Sequence, residues 1–331
     1  MNSFGRIFRI SIFGESHGES VGIVINGCPA GLSLTEEDLL PDLERRKGGK
    51  QKGTTPRQEA DYPFFKSGIF NGKTTGAPIT IIFENNNTRS EDYQKQRSFP
   101  RPGHADWVAH QKYGGNEDYR GGGHFSARLT TGLVAAGAIA KKLMTNVKIE
   151  AAVIEIAGEA DLEKGLQKAI DAKDSVGGIV ECKVNGLPVG LGEPFFDSVE
   201  SQIAHIAFAI PAVKGVEFGS GFAAAKMFGS QHNDAIENME GKTKTNHAGG
   251  IVGGISNGNE LVFRIAIKPT ASTPKEQNSL NWDTGKMEDF SIKGRHDLCV
   301  ALRAPVILEA ATAVVLVDLF LLEQKIPRII S

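Results

Sequence analysis

The alternation of apolar and other side chains predicts a strand, a turn and a second strand at the beginning of the chain. In the sequence IFRISI, Phe8, Ile10 and Ile12 fall on one side, which is the period of a half-buried strand. The later stretch ESVGIVINGCPAG is rich in β-branched residues and ends in Gly and Pro, so it predicts another strand and not a helix. The pentapeptide GESHG is therefore predicted to be a turn that presents Ser16 and His17 to a cleft.

Two long segments lack the wide polar face of a surface helix. They are the run of small and apolar residues from Ser126 to Met144 and the C-terminal segment APVILEAATAVVLVDLFLLEQK. Glu309 and Asp318 interrupt the second segment where charge in lipid would be costly, so a buried core helix is predicted and not a membrane span. Further strands are predicted at APITIIFEN, VKIEAAVIEIAG, GGIVECKVNG, GVEFG and LVFRIAIKP, and further helices at DLEKGLQKAIDAK, at SVESQIAHIAFAI and from a capping box at Thr35 to about Lys47, with a kink at Pro41.

These elements predict an α+β fold with two similar halves, each combining antiparallel-looking strands with one long buried helix. The helices should then be sandwiched between sheets. A chain of 331 residues can hold about two average domains, but no charged or Pro/Ser-rich linker interrupts it, so a single domain over residues 1–331 is predicted.

Composition describes a folded globular chain, with 40% apolar and 23% charged residues. The three cysteines, Cys28, Cys182 and Cys299, form no C-x-x-C pair, which argues against a zinc site or redox chemistry; no metal site is predicted. Reduced thiols and the absence of a secretory pattern in MNSFGRIFRI predict a cytoplasmic location.

The net charge of −2 conceals a local excess of cations in RRKGGKQKGTTPR, residues 45–57. A near-neutral chain with one cationic loop suits a small polyanion better than nucleic acid, which leaves a domain-wide basic bias. A solvated surface loop is the alternative, and the charge run alone favours it. The basic residues of this loop are Arg45, Arg46, Lys47, Lys50, Lys52 and Arg57.

Two glycine motifs have familiar but weak functional interpretations. GESHG fits the G-x-S-x-G pattern of a serine hydrolase, but the strand predicted after Gly18 replaces the helix that a nucleophile elbow needs. GSGFAA, residues 219–224, fits a relaxed dinucleotide fingerprint, but the sequence breaks at Gly229 before a crossover helix could form. A glycine-rich turn is the favoured interpretation there.

Several other loops combine glycine with a cation or a histidine. In RPGHADW, a Pro-Gly turn fixes His104 beside Arg101 and Asp106, which suits proton transfer near neutral pH. Three glycines in YRGGGHFSARLTT precede the long helix, where free N–H groups attract anions. NHAGGIVGGISNG offers a glycine-dense surface, IKPTAS follows Lys268 with hydroxyls that could hold a phosphate, and KGRHDLC groups charges before the last helix. Each could be an ordinary loop, but together they favour a site.

Taken in order, these loops closely resemble the chorismate synthase family over essentially the whole chain. The resemblance is carried by GESHG, RPGHADW, YRGGGHFSAR, NHAGGIVGGIS, KPTAS and GRHDLC. It implies a β-α-β sandwich, a homotetramer, and conversion of 5-enolpyruvylshikimate 3-phosphate to chorismate by 1,4-anti elimination of phosphate. It also implies a need for reduced FMN without net redox change; whether NADPH reduces the flavin on the enzyme or a separate flavin reductase does so stays open.

The resemblance also implies roles for particular residues. His17 would protonate the departing phosphate, His104 the reduced flavin, and Asp297 would act with the flavin N5 in removing the ring hydrogen. Ser16 then becomes a positioning hydroxyl and not a nucleophile. The implied FMN-binding residues are His124, Phe125, Ser126, His247, Ala248, Gly253, Lys268, Pro269, Thr270, Ala271, Ser272 and Arg295, and the implied substrate-binding residues are Ser16, Arg46, Lys52 and Arg128.

Three other functions remain as alternatives. An NAD(P)H-linked flavin oxidoreductase would use the same glycine-rich loops, and a phosphate-binding module without catalysis would explain the cations but not the loop histidines. A serine hydrolase would need a helix after Gly18. No nucleic acid or membrane partner is expected.

Overall fold

The computed structural model describes residues 2–49, 52–55, 59–87, 97–292 and 296–330. The predicted helices and strands occur in the predicted order, together with short elements that the sequence pattern did not predict. The strands are β1 (Ser3–Phe4), β2 (Arg9–Gly14), β3 (Ser20–Asn26), β4 (Phe64–Ser67), β5 (Ile69–Phe70), β6 (Lys73–Thr74), β7 (Ile79–Glu84), β8 (Lys148–Ile156), β9 (Gly178–Asn185), β10 (Val213–Phe218), β11 (Ile251–Val252), β12 (Ile255–Ser256), β13 (Leu261–Ile267), β14 (Gln277–Asn281) and β15 (Lys286–Phe290). The helices are α1 (Leu40–Arg46), α2 (Asp106–Tyr113), α3 (Thr130–Leu143), α4 (Leu162–Ala172), α5 (Val199–Ala207), α6 (Gly229–His232) and α7 (Ala304–Leu322).

The first sheet confirms the strand-turn-strand prediction for the start of the chain. Strands β2 and β3 pair antiparallel from Arg9 opposite Asn26 to Gly14 opposite Val21. Within the described ranges this sheet has the order β1-β2-β3-β7-β4. Because β3 continues directly from the GESHG turn, Ser16 is not followed by a helix, and the nucleophile elbow is excluded.

The second sheet has the order β10-β13-β9-β8 in the described part of the chain, and its strands are antiparallel. GSGFAA follows β10 as a short 3-10 helix, Gly221–Lys226, and no crossover helix continues from it. The glycine-rich turn was therefore the correct interpretation of this motif.

Two buried helices fill the space between the sheets. Helix α3 packs on β3 and β7 of the first sheet, α7 packs on β8 and β9 of the second, and the two helices pack against each other. The buried apolar side chains of the two sheets and the two helices form one core cluster. The structure confirms the predicted α+β sandwich with two similar halves, each an antiparallel sheet and one long helix.

The helical segment Val300–Leu322, which includes α7, is long and apolar enough to cross a membrane, but 83% of its apolar window is buried inside the protein. Its two acids have internal partners. Glu309 accepts hydrogen bonds from Arg45 and Lys141, and Asp318 accepts three from backbone N–H groups of residues 6–8. Burial would raise the pKa of Glu309, but the two cations outweigh it and hold that pKa below its usual value.

One predicted helix is divided. A 3-10 turn at Glu36–Asp38 precedes α1, and Leu39 separates the two. Pro41 lies in the first turn of α1, where its missing N–H would have had no helical partner. The predicted kink is therefore a helix start, while the predicted capping box at Thr35 is present.

Gly137 sets the close approach of α3 and α7. A methyl group at this position would lie 2.3 Å from Cα of Ala310, so backbone would have to move. We expect Gly137→Ala to lower the free energy of unfolding by about 1 to 3 kcal/mol, measured by urea denaturation. Gly229→Ala is the control, since nothing lies within 4 Å of its methyl and alanine favours helix. Equal stability of the two variants would contradict this account of the packing.

Candidate active site

A cavity of about 630 Å³ lies where four predicted site loops meet. Part of its lining is apolar, here called the apolar wall, and comes from β2, α3, the end of α5 and the turn after it: Ile10, Ile12, Leu133, Ile206 and Pro211. The lining also contains many of the predicted site residues: His104, His124, Phe125, Ser126, Lys268, Pro269, Thr270, Ala271, Ser272 and Asp297. A concave apolar pocket with a few converging polar groups is the usual form of a small-molecule site.

His104 is held by a dense set of contacts in its Pro-Gly turn. Its Nδ1 lies 2.6 Å from Oδ1 of Asp106, which begins α2. Arg101 donates to both oxygens of Asp106, at 2.7 and 2.8 Å. The backbone of the turn is fixed from outside as well, because Nζ of Lys268 donates to the carbonyl of Gly103 at 2.7 Å.

The segment Lys268–Ser272 follows the end of β13 and has features of an anion site. Burial and the neighbouring Lys214 both lower the pKa of Lys268, because two ammonium groups share this region. The buried Oγ1 of Thr270 has no hydrogen-bond partner among the described residues. An anion with several oxygens would satisfy both groups.

The glycine triplet lies between the two predicted catalytic histidines. Gly121, Gly122 and Gly123 all have positive φ, which favours glycine strongly. A methyl group on Gly121 would lie 2.6 Å from Nε2 of His17, and one on Gly122 would lie 3.3 Å from Nε2 of His104. The turn therefore leaves space for both rings.

His17 and Ser16 lie behind this turn and do not belong to the described lining of the large cavity. Ser16 is fully buried, and His17 is 8% exposed. The turn and GESHG are joined by two hydrogen bonds, from Ser16 N to Gly123 O at 3.1 Å and from His124 Nδ1 to Gly14 O at 2.8 Å. Gly121 lines the cavity and also lies against the His17 ring, so it separates that ring from the cavity.

Asp297 reaches the cavity from the segment before α7. Its Oδ1 accepts from the backbone N–H of Thr55 at 2.7 Å, and its Oδ2 lies 3.3 Å from Nη1 of Arg303. Burial first, and then the cation of Arg101, lower the pKa of the adjacent His296 to about 4, so that ring is neutral at physiological pH.

Arg46 and Arg128 lie beneath the cavity wall and not in it. Both contact the buried carboxylate of Asp61, and Arg46 also donates to Thr130 Oγ1 at 3.0 Å. Burial lowers the pKa of Arg46 to about 9, against the attraction of Asp61. Lys52 is exposed and lies 3.4 Å from Oε1 of Gln167 on α4.

His247, Ala248 and Gly253 lie apart from the large cavity, in the loop around β11. Asp234 accepts from the backbone of His247 and Ala248, and His247 Nδ1 lies 2.7 Å from Oγ of Ser220. Arg295, predicted to bind FMN, lies outside the described residues. Within the described residues, no group of three or more His, Cys, Asp or Glu is placed to share a metal ion.

Sequence reasoning missed Asp61 and the apolar wall from the N-terminus. Asp61 is one of two acids in EADY, with no motif around it. Phe4 and its neighbours line the cavity because β1 pairs with β2, which no local pattern indicates.

The fold and site have the form of an enzyme that acts on a small molecule, since a histidine held by a carboxylate lines a cavity that also contains a cation and hydroxyl groups. The sequence model of chorismate synthase matches residues 8–321. The chorismate synthase of Chitinophaga pinensis is 68% identical over 330 residues, 99% of each chain, and that of Dehalococcoides mccartyi is 45% identical over 361, 100% of this chain and 99% of that one. A crystal structure of chorismate synthase superposes with a TM-score of 0.73 at 27% identity, over 97% of this chain and 93% of that one.

The chain therefore belongs to the chorismate synthase family, and it is a lyase of aromatic amino acid biosynthesis.

Proposed function

We propose that the chain converts 5-enolpyruvylshikimate 3-phosphate to chorismate by 1,4-anti elimination of phosphate, with reduced FMN bound and no net redox change. The observation that carries the proposal is the large cavity, which joins His104 and Asp297 to the cationic, hydroxyl-rich segment Lys268–Ser272. An elimination needs a proton donor, a proton acceptor and an anion site within one cavity, and this cavity contains all three kinds of group.

The structure offers positive charge for a substrate with one phosphate and two carboxylates. Arg46 and Arg128 share one carboxylate, Asp61, so this buried group keeps an excess of one positive charge. Arg46 of this group donates hydrogen bonds to Ala127 and Thr130, which line the cavity. We propose that Ser16, Lys52 and these two arginines favour substrate binding, the arginines mainly through their field.

The residues around the cavity fit FMN. The apolar wall suits a flat ring, while Lys268 and the unpartnered Thr270 hydroxyl suit a phosphate. We propose that the flavin is held by His124, Phe125, Ser126, the segment Lys268–Ser272 and Arg295. Held by these residues, reduced FMN would supply electron density for breaking the C–O bond, without net oxidation or reduction.

Three side chains have separate roles in the proposed proton transfers. We propose that His17 donates a proton to the departing phosphate across the gap left by Gly121, that His104 keeps a proton available to the flavin, and that Asp297 assists removal of the ring hydrogen. Thr55 and Arg303 fix the Asp297 carboxylate in position, which suits a group acting at one atom.

Gly121→Ala tests the proposed position of His17. The methyl would displace the imidazole, so we expect turnover to fall roughly tenfold, since small misplacements of a catalytic group are costly. Gly158→Ala is the matched control: Gly158 also has positive φ, but nothing lies within 4 Å of its methyl. Steady-state rates that fall equally in both variants would mean that backbone strain, and not the histidine, explains the loss.

A homotetramer is proposed from the surface. Phe196, Phe222, Phe228 and Met239 are largely exposed, and exposed apolar side chains mark an association surface where they lie together. His247 contacts Ser220, which is close in sequence to Phe222, so assembly through this segment would place the predicted FMN residues His247, Ala248 and Gly253 near another copy. A single domain and a cytoplasmic location complete the proposal; sedimentation at several protein concentrations tests the assembly.

The decisive experiment is an anaerobic assay with chemically reduced FMN, with and without NADPH. We expect chorismate and phosphate in equal amounts, dependent on reduced flavin. If the chain reduces FMN itself, NADPH should replace the chemical reductant; if a separate reductase is required, it should not. NADPH consumption in proportion to product would instead support the flavin oxidoreductase, and no chorismate under any condition would refute the proposal.

A further inference from the structure

We propose that Asp106 is a positioning residue for His104, whose carboxylate keeps a proton on Nδ1 so that Nε2 is the nitrogen that gives and regains the catalytic proton. This inference rests on the proposed function, because it assigns how the proposed acid is held.

The contact between the two side chains determines the tautomer. Nδ1 of His104 is 2.6 Å from Oδ1 of Asp106, and an ionised carboxylate can only accept, so Nδ1 carries the hydrogen. Arg101 Nη2 lies 3.0 Å from Nδ1 as well, and 2.8 Å from the same carboxylate oxygen. Both nitrogens therefore donate to Oδ1, and their proximity is a consequence of sharing it.

Asp106 is itself firmly held. Besides the two side-chain bonds from Arg101, its Oδ2 accepts from the backbone N–H of Arg101 at 3.0 Å. Burial would raise the pKa of this carboxyl, but the hydrogen bonds from Arg101 and His104 outweigh it, and the pKa lies well below its usual range. The carboxylate also lies in the first turn of α2, where negative charge is favoured.

The remaining nitrogen of His104 faces the glycine turn. Nε2 and Cε1 are the His104 atoms that a methyl group on Gly122 would approach, at 3.3 Å. Arg101 also donates to Oγ of Ser272 at 3.2 Å, in the segment proposed to hold FMN. The pair of Asp106 and Arg101 thus fixes the imidazole relative to both the glycine turn and the proposed cofactor segment.

Other charged groups near His104 do not duplicate this role. Lys268 faces the turn from the end of β13, and His296 and Asp297 face it from the segment before α7. His296 is neutral, and Asp297 is engaged by Thr55 and Arg303. Among the described residues, Asp106 is the anion whose contact with the imidazole is observed.

The proposed proton transfer involves one N–H bond of His104. The Nε2–H bond breaks, its electron pair stays on Nε2, and the proton passes to the bound acceptor. Solvent returns a proton to Nε2 after product leaves, while the Nδ1–H bond to Asp106 persists throughout.

Asp106→Asn tests the proposal in the full-length enzyme with reduced FMN and 5-enolpyruvylshikimate 3-phosphate. We expect kcat to fall at least about tenfold with KM and FMN affinity little changed. Glu117→Gln is the matched control, since Oε1 of Glu117 lies 3.2 Å from Nδ1 of His110, a residue of α2.

A double substitution separates positioning from a general structural effect. If Asp106 acts through His104, Asp106→Asn should cause no further loss in a His104→Ala background. An equal loss in both backgrounds, or a loss that appears in KM or FMN affinity and not in kcat, would overturn the positioning role. If Asp106→Asn turns over at the wild-type rate while His104→Ala is slow, the positioning role is also overturned, but the proposed function stands. If His104→Ala itself turns over at the wild-type rate, the proposed acid is refuted.

Discussion

His104→Ala and His17→Ala should each lower chorismate formation by about a hundredfold or more, the range expected when a general acid is removed. His104 lies in the lining of the large cavity with its ring fixed by Asp106, and His17 lies in contact with Gly121. A hundredfold loss corresponds to about 2.7 kcal/mol of transition-state stabilisation. Folding and FMN binding should be largely retained, because neither histidine belongs to the apolar core.

His110→Ala is the control for both substitutions. His110 lies on α2, close in sequence to His104, but does not line the large cavity. Single-turnover rates with pre-reduced FMN separate chemistry from binding. Wild-type rates in both variants would remove the two histidines from the mechanism, and a comparable loss in His110→Ala would indicate a structural effect.

Asp61→Asn should lower the free energy of unfolding by about 3 to 5 kcal/mol. The carboxylate is buried between Arg46 and Arg128, which are themselves almost fully buried. Removing its charge leaves two guanidinium groups in a low-dielectric site without an anion, while asparagine keeps the shape and tolerates the positive φ of residue 61. Urea denaturation at fixed protein concentration measures the effect.

Glu150→Gln provides the comparison for Asp61. Glu150 pairs with Lys148 at 2.9 Å, but both side chains are mostly exposed, so the loss should stay below about 1 kcal/mol. If both variants lose a similar free energy of unfolding, the Asp61 carboxylate is either solvated or not needed to stabilise the two arginines. We also expect Asp61→Asn to weaken substrate binding, because the two arginines would shift.

The sequence by itself determined the regular elements, because their signals are local. Phe8, Ile10 and Ile12 alternate; Ile10 and Ile12 lie in strand β2 of the first sheet, and Phe8 directly precedes it. The small and apolar run after Ser126 forms the buried helix α3, which begins at Thr130. Motif resemblance also predicted the family, and the loops of His104, Lys268 and Asp297 do meet at one cavity. The break at Leu39 was missed because Pro41 can either kink a helix or begin one.

Only the tertiary structure decided which distant side chains touch. Asp61 contacts Arg128, which is 67 residues away, and no spacing rule links an acid in EADY to that arginine. Gly121 lies against His17 because the GESHG and RGGGH turns exchange backbone contacts, again between segments far apart in sequence. The period of apolar residues along the chain specifies which face of one helix or strand is buried. Contacts between side chains across the core depend on how the sheets and helices pack, and this packing is determined only when the whole chain folds.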